Sequence, residues 1–493
     1  MSERIIEPFV FPSIGDYLNR SEDLARMEDW WSGRETNALA VYGRRRVGKS
    51  WLFRRFAHGK PALVFVADRR TRSSQLDRFA ERLRPLLGFR PSLDDVPALI
   101  EALYTLAAER KTLVVIDEFP FLLPDAQAQR EDLLTSIQSV MEERDASKLK
   151  LMICGSYIGL MEKLLRGPLR GRLTPLAISP LAFPQAAEFM APDVAATEAI
   201  ERYAVAGGMS LHLSELGPGS TLRRRICQRA LDPRGPLFND PREVLEEELR
   251  TPGTYFSLLE ELSTGTKSIG ELASALGRRT TDLPGYLKTL QEMQVIERYA
   301  PVTARGDERN NRYGLRDGFM RFWFRFIFPF QEDLKAGLPP GQLFDDEIAP
   351  ELADHVSPVY EDLCRRWARG HGATQVGGWW GNALNEHRRV KARQTEEVDV
   401  VGLRRGSVTL VGECKWTAAE MSAGVLTDLE TYKLPAMRQA KVRFAKSGPQ
   451  IVLFAKRGFS RRLREIDAER DDITLLSVDE LVSGLLGGPG VRA

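Results

Sequence analysis

The sequence predicts an α/β protein that consists of several domains. Short apolar runs alternate with helical segments between residues 38 and 156, and this alternation is typical of a parallel sheet flanked by helices. A second alternation of strands and helices fills the last third of the chain. The length of 493 residues agrees with about three domains, because domains usually contain about 100–200 residues.

The composition excludes several classes of protein. With 43% hydrophobic residues, 28% charged residues and a formal net charge of +2, the chain is neither fibrous nor a polycation, so any contact with nucleic acid must come from local basic surface. The four cysteines are scattered without a C-x-x-C pair. This argues against structural disulfides and a cysteine zinc site, and it favours a reducing cytoplasm.

The sequence contains no segment that is typical of membrane insertion. Residues 1–8 lack an apolar signal core, and the apolar run at residues 319–330 is short and interrupted by Arg321 and Arg325. We therefore expect a cytoplasmic protein that does not enter the membrane, with residues 319–330 in a buried core.

The first chemical motif follows the first predicted strand. Residues 38–42 form that strand, residues 43–50 spell G-x-x-x-x-G-K-S, and residues 51–56 have helical apolar spacing. This is the context that a Walker A loop requires, since its glycines let backbone N–H groups wrap around phosphate oxygens. We expect Lys49 to contact the β- and γ-phosphates of ATP and Ser50 to join the Mg²⁺ shell. The predicted nucleotide-binding residues of the loop are Gly43, Arg44, Arg45, Arg46, Val47, Gly48, Lys49 and Ser50.

Two further strands carry residues that complete a hydrolytic nucleotide site. Residues 112–119 contain an apolar strand that ends in Asp117 and Glu118, the Walker B pattern. Asp117 would hold Mg²⁺ through water, and Glu118 would polarise the attacking water. The next strand ends at Ser156, at the position where AAA+ ATPases carry a polar sensor that contacts the γ-phosphate or the lytic water. Tyr157 is a weaker candidate for this role, and a simple Gly-Ser turn is the alternative.

Two arginines and one helix border this predicted site. Arg170 and Arg172 lie in a Gly/Pro-rich loop, where either could contact phosphate, act as an arginine finger in a homo-oligomer, or remain an ordinary solvated arginine. Arg172 is the predicted nucleotide contact. Before the first strand we expect a helix with Asn19 or Ser21 as its N-cap.

The middle of the chain predicts a helical lid and then a winged helix. Residues 184–250 are mostly helical in pattern; from residue 255 three short amphipathic segments precede a strand at residues 294–299 and a polar loop at residues 305–312. A winged helix that serves only as a spacer or protein-docking module is the alternative. The basic residues that could contact DNA phosphates are Arg278, Arg279 and Lys288 near the third helix and Arg305, Arg309 and Arg312 in the wing.

The last third offers a second chemical constellation. A helix at residues 359–368 carries Glu361, one strand carries Asp399, and the next carries Glu413 and Lys415. Glu413 and Lys415 are two residues apart and therefore share one face of their strand. Asp399 and Glu413 could hold a divalent cation, Glu361 could complete the acidic set, and Lys415 could orient or activate a water for phosphodiester hydrolysis. A hairpin that merely carries charges is the alternative.

These motifs resemble a known family. The loop at residues 42–50 and the strand end at residues 116–119 are similar to those of the archaeal and bacterial AAA+/STAND-like P-loop ATPases, and residues 313–325 resemble the segment after their winged helix. Many members carry a C-terminal domain similar to the PD-(D/E)XK nucleases. The resemblance implies nucleotide roles for Lys49, Ser50, Asp117 and Glu118 and nuclease-like roles for Glu361, Asp399, Glu413 and Lys415. The lid departs from the family pattern, because residues 207–210 read Gly-Gly-Met-Ser and lack its proline.

We therefore predict a P-loop parallel sheet with a helical lid, a winged helix and a C-terminal α/β nuclease-like domain. The expected boundaries are residues 1–180, 181–252, 253–335 and 336–493. The expected cofactors are ATP and Mg²⁺, with Mn²⁺ as a second ion for the nuclease-like site, and the expected partner is DNA. The expected function is an ATPase that controls this DNA-directed part; a nucleotide-gated regulatory switch without nuclease activity is the alternative.

Overall fold

A computed structural model describes residues 6–12, 20–33, 38–144, 148–249, 251–304, 310–384 and 395–487. Within it the chain forms two compact units. The first contains residues 1–180 and 292–294, and the second contains residues 181–291 and 295–493. The four predicted domain boundaries stay a prediction.

The first unit is built on a five-stranded parallel sheet. Its strand order is β2-β3-β4-β1-β5, and each pair of neighbours is parallel. Every residue of β3 and β4 is buried, because helices cover both faces of a parallel sheet. The strands are β1 (Ala38–Tyr42), β2 (Ala62–Val66), β3 (Thr112–Asp117), β4 (Leu149–Gly155) and β5 (Leu173–Ala177). The helices are α1 (Ser21–Ser32), α2 (Lys49–Ala57), α3 (Arg72–Leu87), α4 (Val96–Leu106), α5 (Gln127–Glu143) and α6 (Ile158–Arg166).

The second unit begins with helices. Helix α8 carries Ala199 and Ile200 into the same hydrophobic core as Val356, Tyr360 and Val400 of the C-terminal part. Residues of the predicted lid therefore share a core with the predicted nuclease-like domain. These helices are α7 (Phe183–Ala187), α8 (Ala196–Ala206), α9 (Ser210–Leu216), α10 (Leu222–Ile226) and α11 (Asp240–Glu248).

Three helices and a two-stranded antiparallel sheet come next, in the order that a winged helix requires. Ser268 caps the second helix, and Glu271 completes its capping box. The elements are α12 (Pro252–Ser263), α13 (Ile269–Ala275), α14 (Pro284–Glu292), β6 (Ile296–Tyr299) and β7 (Arg312–Leu315). Arg305 and Arg309 lie outside the described residues.

The C-terminal part forms a mixed five-stranded sheet in the order β12-β11-β10-β9-β8. Strands β8, β9 and β10 are antiparallel, whereas β10, β11 and β12 are parallel. The strands are β8 (Gln375–Asn382), β9 (Thr395–Arg404), β10 (Ser407–Lys415), β11 (Gln450–Ala455) and β12 (Ile473–Ser477). The helices are α15 (Gly318–Phe326), α16 (Gln331–Lys335), α17 (Pro340–Leu343), α18 (Ala349–Gly370), α19 (Ala423–Asp428), α20 (Leu434–Gln439), α21 (Arg461–Glu469) and α22 (Val478–Gly487).

Short 3₁₀ segments along the whole chain span Phe119–Leu122, Thr280–Asp282 and Phe328–Phe330, and π-helical turns span Cys227–Leu231, Phe344–Ile348 and Leu429–Lys433.

The predicted α/β class, with a parallel P-loop-type sheet and a second sheet at the C-terminus, is confirmed. Phe319, Phe322 and Trp323 of α15 are fully buried, as expected of a core segment. None of the helices in the described ranges combines the length and the apolar character that a membrane crossing requires.

The prediction of the first N-cap needs a correction. Ser21 is the first residue of α1, Arg20 occupies the N-cap position, and no side chain caps the helix there. Asn19 lies outside the described residues.

Candidate functional sites

The phosphate-binding loop connects β1 to α2 in a conformation that depends on glycine. Gly48 caps α2 with a φ of 98°, in the left-handed region that favours glycine. Gly43 packs so closely on the next chain segment that a Cβ atom would collide with the carbonyl oxygen of Ile178. The loop therefore holds backbone N–H groups at the amino end of α2, where anions bind readily.

Three neighbouring strands bring the predicted nucleotide-site residues together. Strands β3, β4 and β1 lie side by side, so Asp117, Ser156 and the loop after Tyr42 meet at the carboxyl edge of one sheet. Lys49 Nζ donates hydrogen bonds to Gly43 O at 2.8 Å and to Ser156 Oγ at 3.0 Å. Burial lowers the pKa of Lys49, and the carboxylates of Glu118 and Asp117 oppose this shift.

Ser50 and Asp117 form the part of the site that suits Mg²⁺. The Ser50 hydroxyl donates to Asp117 Oδ2 at 3.1 Å, so the two groups expected in the metal shell already lie side by side. Burial, followed by the neighbouring Glu118 charge, raises the pKa of Asp117. A divalent cation would compensate for a buried carboxylate of this kind, and these oxygen donors are the ligands that Mg²⁺ prefers.

Ser156 links the two halves of the nucleotide site. It accepts the hydrogen bond from Lys49, and its hydroxyl donates to Glu118 Oε1 at 2.5 Å while its backbone N–H donates to Glu118 Oε2 at 3.3 Å. Glu118 adopts φ 52° and ψ 41°, a left-handed conformation that is uncommon outside glycine and that recurs at functional sites. The predicted sensor residue therefore contacts both the lysine and the predicted catalytic glutamate.

Arg20 lies outside the Walker A motif but stabilises the phosphate-binding loop, and the motif gave no indication of this role. Its guanidinium group donates to Val47 O at 2.8 Å and to Ser179 O at 2.7 Å. Arg20 thereby fastens the apex of the phosphate-binding loop to the segment after β5. No sequence signal marks Arg20, because its partners are backbone carbonyls 27 and 159 residues away.

The prediction that Arg172 contacts the nucleotide of its own chain is wrong. Arg172 precedes β5, which pairs in parallel with β1 so that Leu173 faces Ala38. It therefore lies at the amino edge of the sheet, whereas the phosphate-binding loop leaves the carboxyl edge. There its guanidinium pairs with Glu142 at 3.2 Å. A role for Arg170 or Arg172 in a neighbouring copy stays a prediction.

The second unit brings the predicted acidic residues to one region of the C-terminal sheet. Asp399 and Glu413 lie on adjacent strands, and Asp399 Oδ2 accepts the Cys414 N–H at 2.8 Å. Glu361 on α18 is held by Arg365 at 2.9 Å, and the same guanidinium donates to Asp399 O at 2.7 Å. Arg365 therefore ties the helix to the strand, a role that no local motif indicated.

Glu413 is buried, and one of its oxygens has no partner. Its side chain is 1% exposed, Oε2 lies 2.7 Å from Lys433 Nζ and 3.9 Å from Lys415 Nζ, and Oε1 is buried without a hydrogen bond. Burial, followed by the Asp399 charge, raises the pKa of Glu413 to about 8, and the two lysines oppose this shift. Burial and Asp399 likewise raise the pKa of Glu361 to about 7.

The predicted acidic set of Glu361, Asp399 and Glu413 does not offer three carboxylates to a metal ion. Among the described residues, no group of three or more His, Cys, Asp or Glu side chains is placed to hold a metal ion. Glu361, which pairs with Arg365, therefore does not complete a three-carboxylate set. Asp399 and the free oxygen of Glu413 remain as donors, and this suits Mg²⁺, which often takes one or two carboxylates and fills its shell with water and phosphate oxygens.

Comparison with known proteins supports the first unit most directly. Residues 17–216 match the model of an ATPase domain found predominantly in Archaea, and residues 323–425 match a family of archaeal and bacterial proteins of unknown function. An uncharacterized protein of Methanocaldococcus jannaschii is 27% identical over 417 residues, which cover 81% of this chain and 87% of that protein. An uncharacterized ATP-binding protein of the same organism is 41% identical over 44 residues, which cover 9% of this chain and 75% of that protein.

Among solved structures, the chain is similar to a Walker-type ATPase of Pyrococcus abyssi. That match has 20% identity and a TM-score of 0.49, and it covers 65% of this chain and 99% of the other. The family match and the Lys49–Ser156–Glu118 geometry confirm the predicted ATPase, whereas the nuclease-like character of the second unit stays a prediction. Residues 17–216 of this chain therefore match an ATPase domain that is found predominantly in Archaea, and the hydrogen bonds of Lys49 and Ser50 agree with a P-loop ATPase.

Proposed function

We propose that the nucleotide state of this ATPase controls a DNA-directed C-terminal part that carries a metal-dependent nuclease-like site. The observation that carries the proposal is the Glu413 carboxylate, which is buried between Lys433 and Asp399 and leaves Oε1 without a partner. A buried carboxylate oxygen without a partner is costly, so its retention is easiest to explain by a ligand that it binds.

The chain's own residues suggest a division of roles. Asp399 and Glu413 would hold a divalent cation, which when bound would neutralise phosphate charge and lower the pKa of a bound water. Lys415 is 41% exposed and shares the strand face of Glu413, so it can orient a water or phosphate. Lys433 fixes the Glu413 side chain, and Arg365 fixes the Glu361 side chain and the backbone carbonyl of Asp399, as partners of functional carboxylates commonly do.

The helices and hairpin at residues 252–315 support a DNA-directed role through their order, but they limit which arginines can take part. Arg312 belongs to β7 and pairs with Glu397 at 2.6 Å while its guanidinium lies over Trp380. Arg279 pairs with Asp282, and Arg278 donates to Thr254. Arg312 thus contacts the C-terminal sheet, and the predicted DNA contacts that remain from this region are the exposed Arg278, Arg279 and Lys288.

Two assays on the full chain test the proposal. Steady-state ATP hydrolysis should be lost in Lys49→Ala, and Mg²⁺- or Mn²⁺-dependent cleavage of plasmid DNA should be lost in Glu413→Gln and in Lys415→Ala. Catalytic groups of this kind commonly contribute about 10²–10⁴-fold to rate. Suitable controls are Asp362→Asn, next to Glu361 and exposed, and Lys335→Ala, exposed and paired with Glu332.

The outcomes separate two classes of function. Wild-type cleavage by both Glu413→Gln and Lys415→Ala would contradict the nuclease assignment. If no preparation cleaves DNA but nucleotide alters DNA or protein binding, the regulatory switch is correct instead. The ion pair between Lys433 and Glu413 favours that alternative, because it partly neutralises the acidic site without a metal.

A further inference from the structure

Six exposed cations lie on two neighbouring segments at one end of the strands of the C-terminal sheet, away from the acidic site of the same sheet. The first of the two segments that carry these cations is the turn between β9 and β10. The second is the stretch from the end of α20 to β11, which runs beside that turn because Val408 N donates to Arg443 O at 2.8 Å and Ala445 N donates to Val408 O at 2.9 Å. We call this surface the basic edge, and its cations are Arg404, Arg405, Arg438, Lys441, Arg443 and Lys446.

The basic edge lacks compensating negative charge. Residues 402–409 and 437–450 contain no acidic residue, and in the described part of the chain none of the six cations pairs with a carboxylate. Asp472, which lies just before β12, is already paired with Arg470 at 2.8 Å. In a chain whose formal net charge is only +2, this is a strong local concentration of positive charge.

Two of these cations occupy backbone positions that normally favour glycine or asparagine. Arg405 has φ 52° and is followed by Gly406 at φ 74°, the sign that both central residues of a type I′ hairpin turn require. Lys441 has φ 59° just beyond the end of α20, where glycine is most common. In the described residues the other non-glycine residues with positive φ are Arg46 and Glu118 of the nucleotide site and Gln294. The positive side chains are thus kept where the backbone disfavours them.

The chemistry of the edge fits a chain of phosphates better than a lipid surface. Arginine predominates, and its planar guanidinium binds phosphate oxygens in pairs. No large apolar side chain of the edge is exposed, and the aromatic ring of Phe444 is covered by the Arg438 guanidinium 5.2 Å away. An interfacial membrane site would need exposed apolar groups beside the cations.

We infer that the basic edge binds the sugar–phosphate backbone of nucleic acid, at a surface separate from the acidic site. Glu413 lies six residues along β10 from Ser407, so the two surfaces are roughly 20 Å apart along the strand. This inference deepens the proposed function, because it names a phosphate-binding surface for the same DNA partner, but it does not depend on cleavage.

The test measures fluorescence anisotropy of a labelled duplex of roughly 25 base pairs with the full chain, in EDTA, from about 50 to about 300 mM KCl. The variant combines Arg405→Gly, Lys441→Gly, Arg443→Gln and Lys446→Gln. Both glycine changes suit the left-handed backbone, so an undiminished midpoint of thermal unfolding should show that the variant folds. We expect duplex affinity at low salt to fall by about tenfold or more and the salt slope to flatten by about 2–4, since each phosphate contact contributes about 0.9.

A matched control removes the same charge elsewhere. Arg234, Lys335, Arg461 and Arg462 are exposed and paired with carboxylates, and changing all four to glutamine should leave the slope unchanged. An unaltered affinity and slope in the basic-edge variant would overturn the inference. So would binding to roughly 3:1 phosphatidylcholine–phosphatidylserine vesicles in place of the duplex. Because EDTA prevents metal-dependent cleavage, failure of the nuclease proposal would leave this measurement unaffected.

Discussion

At the scale of single residues, Ser156 is the group on which the nucleotide site converges. It contacts Lys49 through one hydrogen bond and Glu118 through two, so it fixes the relative position of the lysine and the predicted base. A side chain that positions a catalytic group affects turnover more than ground-state binding.

We expect Ser156→Ala to lower kcat for ATP hydrolysis by about 10–100-fold, because a misplaced catalytic group commonly costs that much. The affinity for a fluorescent ATP analogue should change far less. Ser139→Ala is the matched control, since Ser139 is exposed and its hydroxyl donates to Thr135 O within α5. A wild-type kcat in Ser156→Ala would show that Glu118 does not need this contact.

The raised pKa of Glu413 predicts how stability changes with pH. The pKa of the Glu413 carboxyl is about 8 in the folded chain and ordinary in the unfolded chain. Between these two pKa values, the folded chain keeps the proton and the unfolded chain releases it. The free energy of unfolding should therefore be highest below about pH 5 and should fall as pH rises toward about 8. Glu361, with a pKa of about 7, adds to the same decline.

Thermal unfolding of the full chain in EDTA measures this decline. Glu413→Gln cannot lose the proton, so the midpoint of its C-terminal transition should fall less between pH 5 and pH 8 than that of the wild type. The corresponding difference in the free energy of unfolding should be up to roughly 3 kcal/mol, given about 1.4 kcal/mol for each pKa unit. Parallel curves for variant and wild type would mean that Glu413 is ionised throughout.

At the scale of elements, strands were easier to predict than the contacts between them. Residues 38–42 and 407–415 follow the expected strands because continuous apolar runs have few alternatives. Helix α18 was expected at residues 359–368, but it spans Ala349–Gly370. The pattern was misleading there because Pro358, which usually marks a helix boundary, lies inside this helix.

In the nucleotide site and the acidic site, too, the sequence identifies residues within a motif but not the contacts between distant residues. Lys49, Ser50, Asp117 and Glu118 come from motifs whose spacing carries the chemistry, so sequence could identify them. Lys433 could not be identified, because it reaches Glu413 from a π-helical turn 20 residues later and no local pattern records that approach. Arg172 was misplaced for a related reason, since only the parallel pairing of β5 with β1 shows which edge of the sheet it occupies.

At the scale of the whole molecule, the nucleotide site and the acidic site belong to different compact units. The first site uses residues 43–50, 117, 118 and 156, and the second uses residues of α18, β9, β10 and the π-helical turn Leu429–Lys433. If the nucleotide state controls the second unit, the link must appear as a free energy of coupling between two ligands.

That coupling can be measured without any turnover. The double variant Glu118→Gln, Glu413→Gln should bind ATP, hydrolyse it slowly and leave the duplex intact in Mg²⁺, so it isolates the ATP-bound state. We expect duplex DNA to change the affinity of this variant for ATP by about 5–150-fold, the usual range for coupled sites. ATP should change its affinity for the duplex by the same factor, because such coupling is reciprocal.

Isothermal titration calorimetry in Mg²⁺ buffer can measure the affinity for ATP, and fluorescence anisotropy can measure the affinity for the duplex. Lys49→Ala, which should not bind ATP tightly, is the control and should show no effect of ATP on the duplex. If neither ligand changes the affinity for the other, the two units bind their ligands independently. The proposed control by nucleotide would then be wrong even if each site is active.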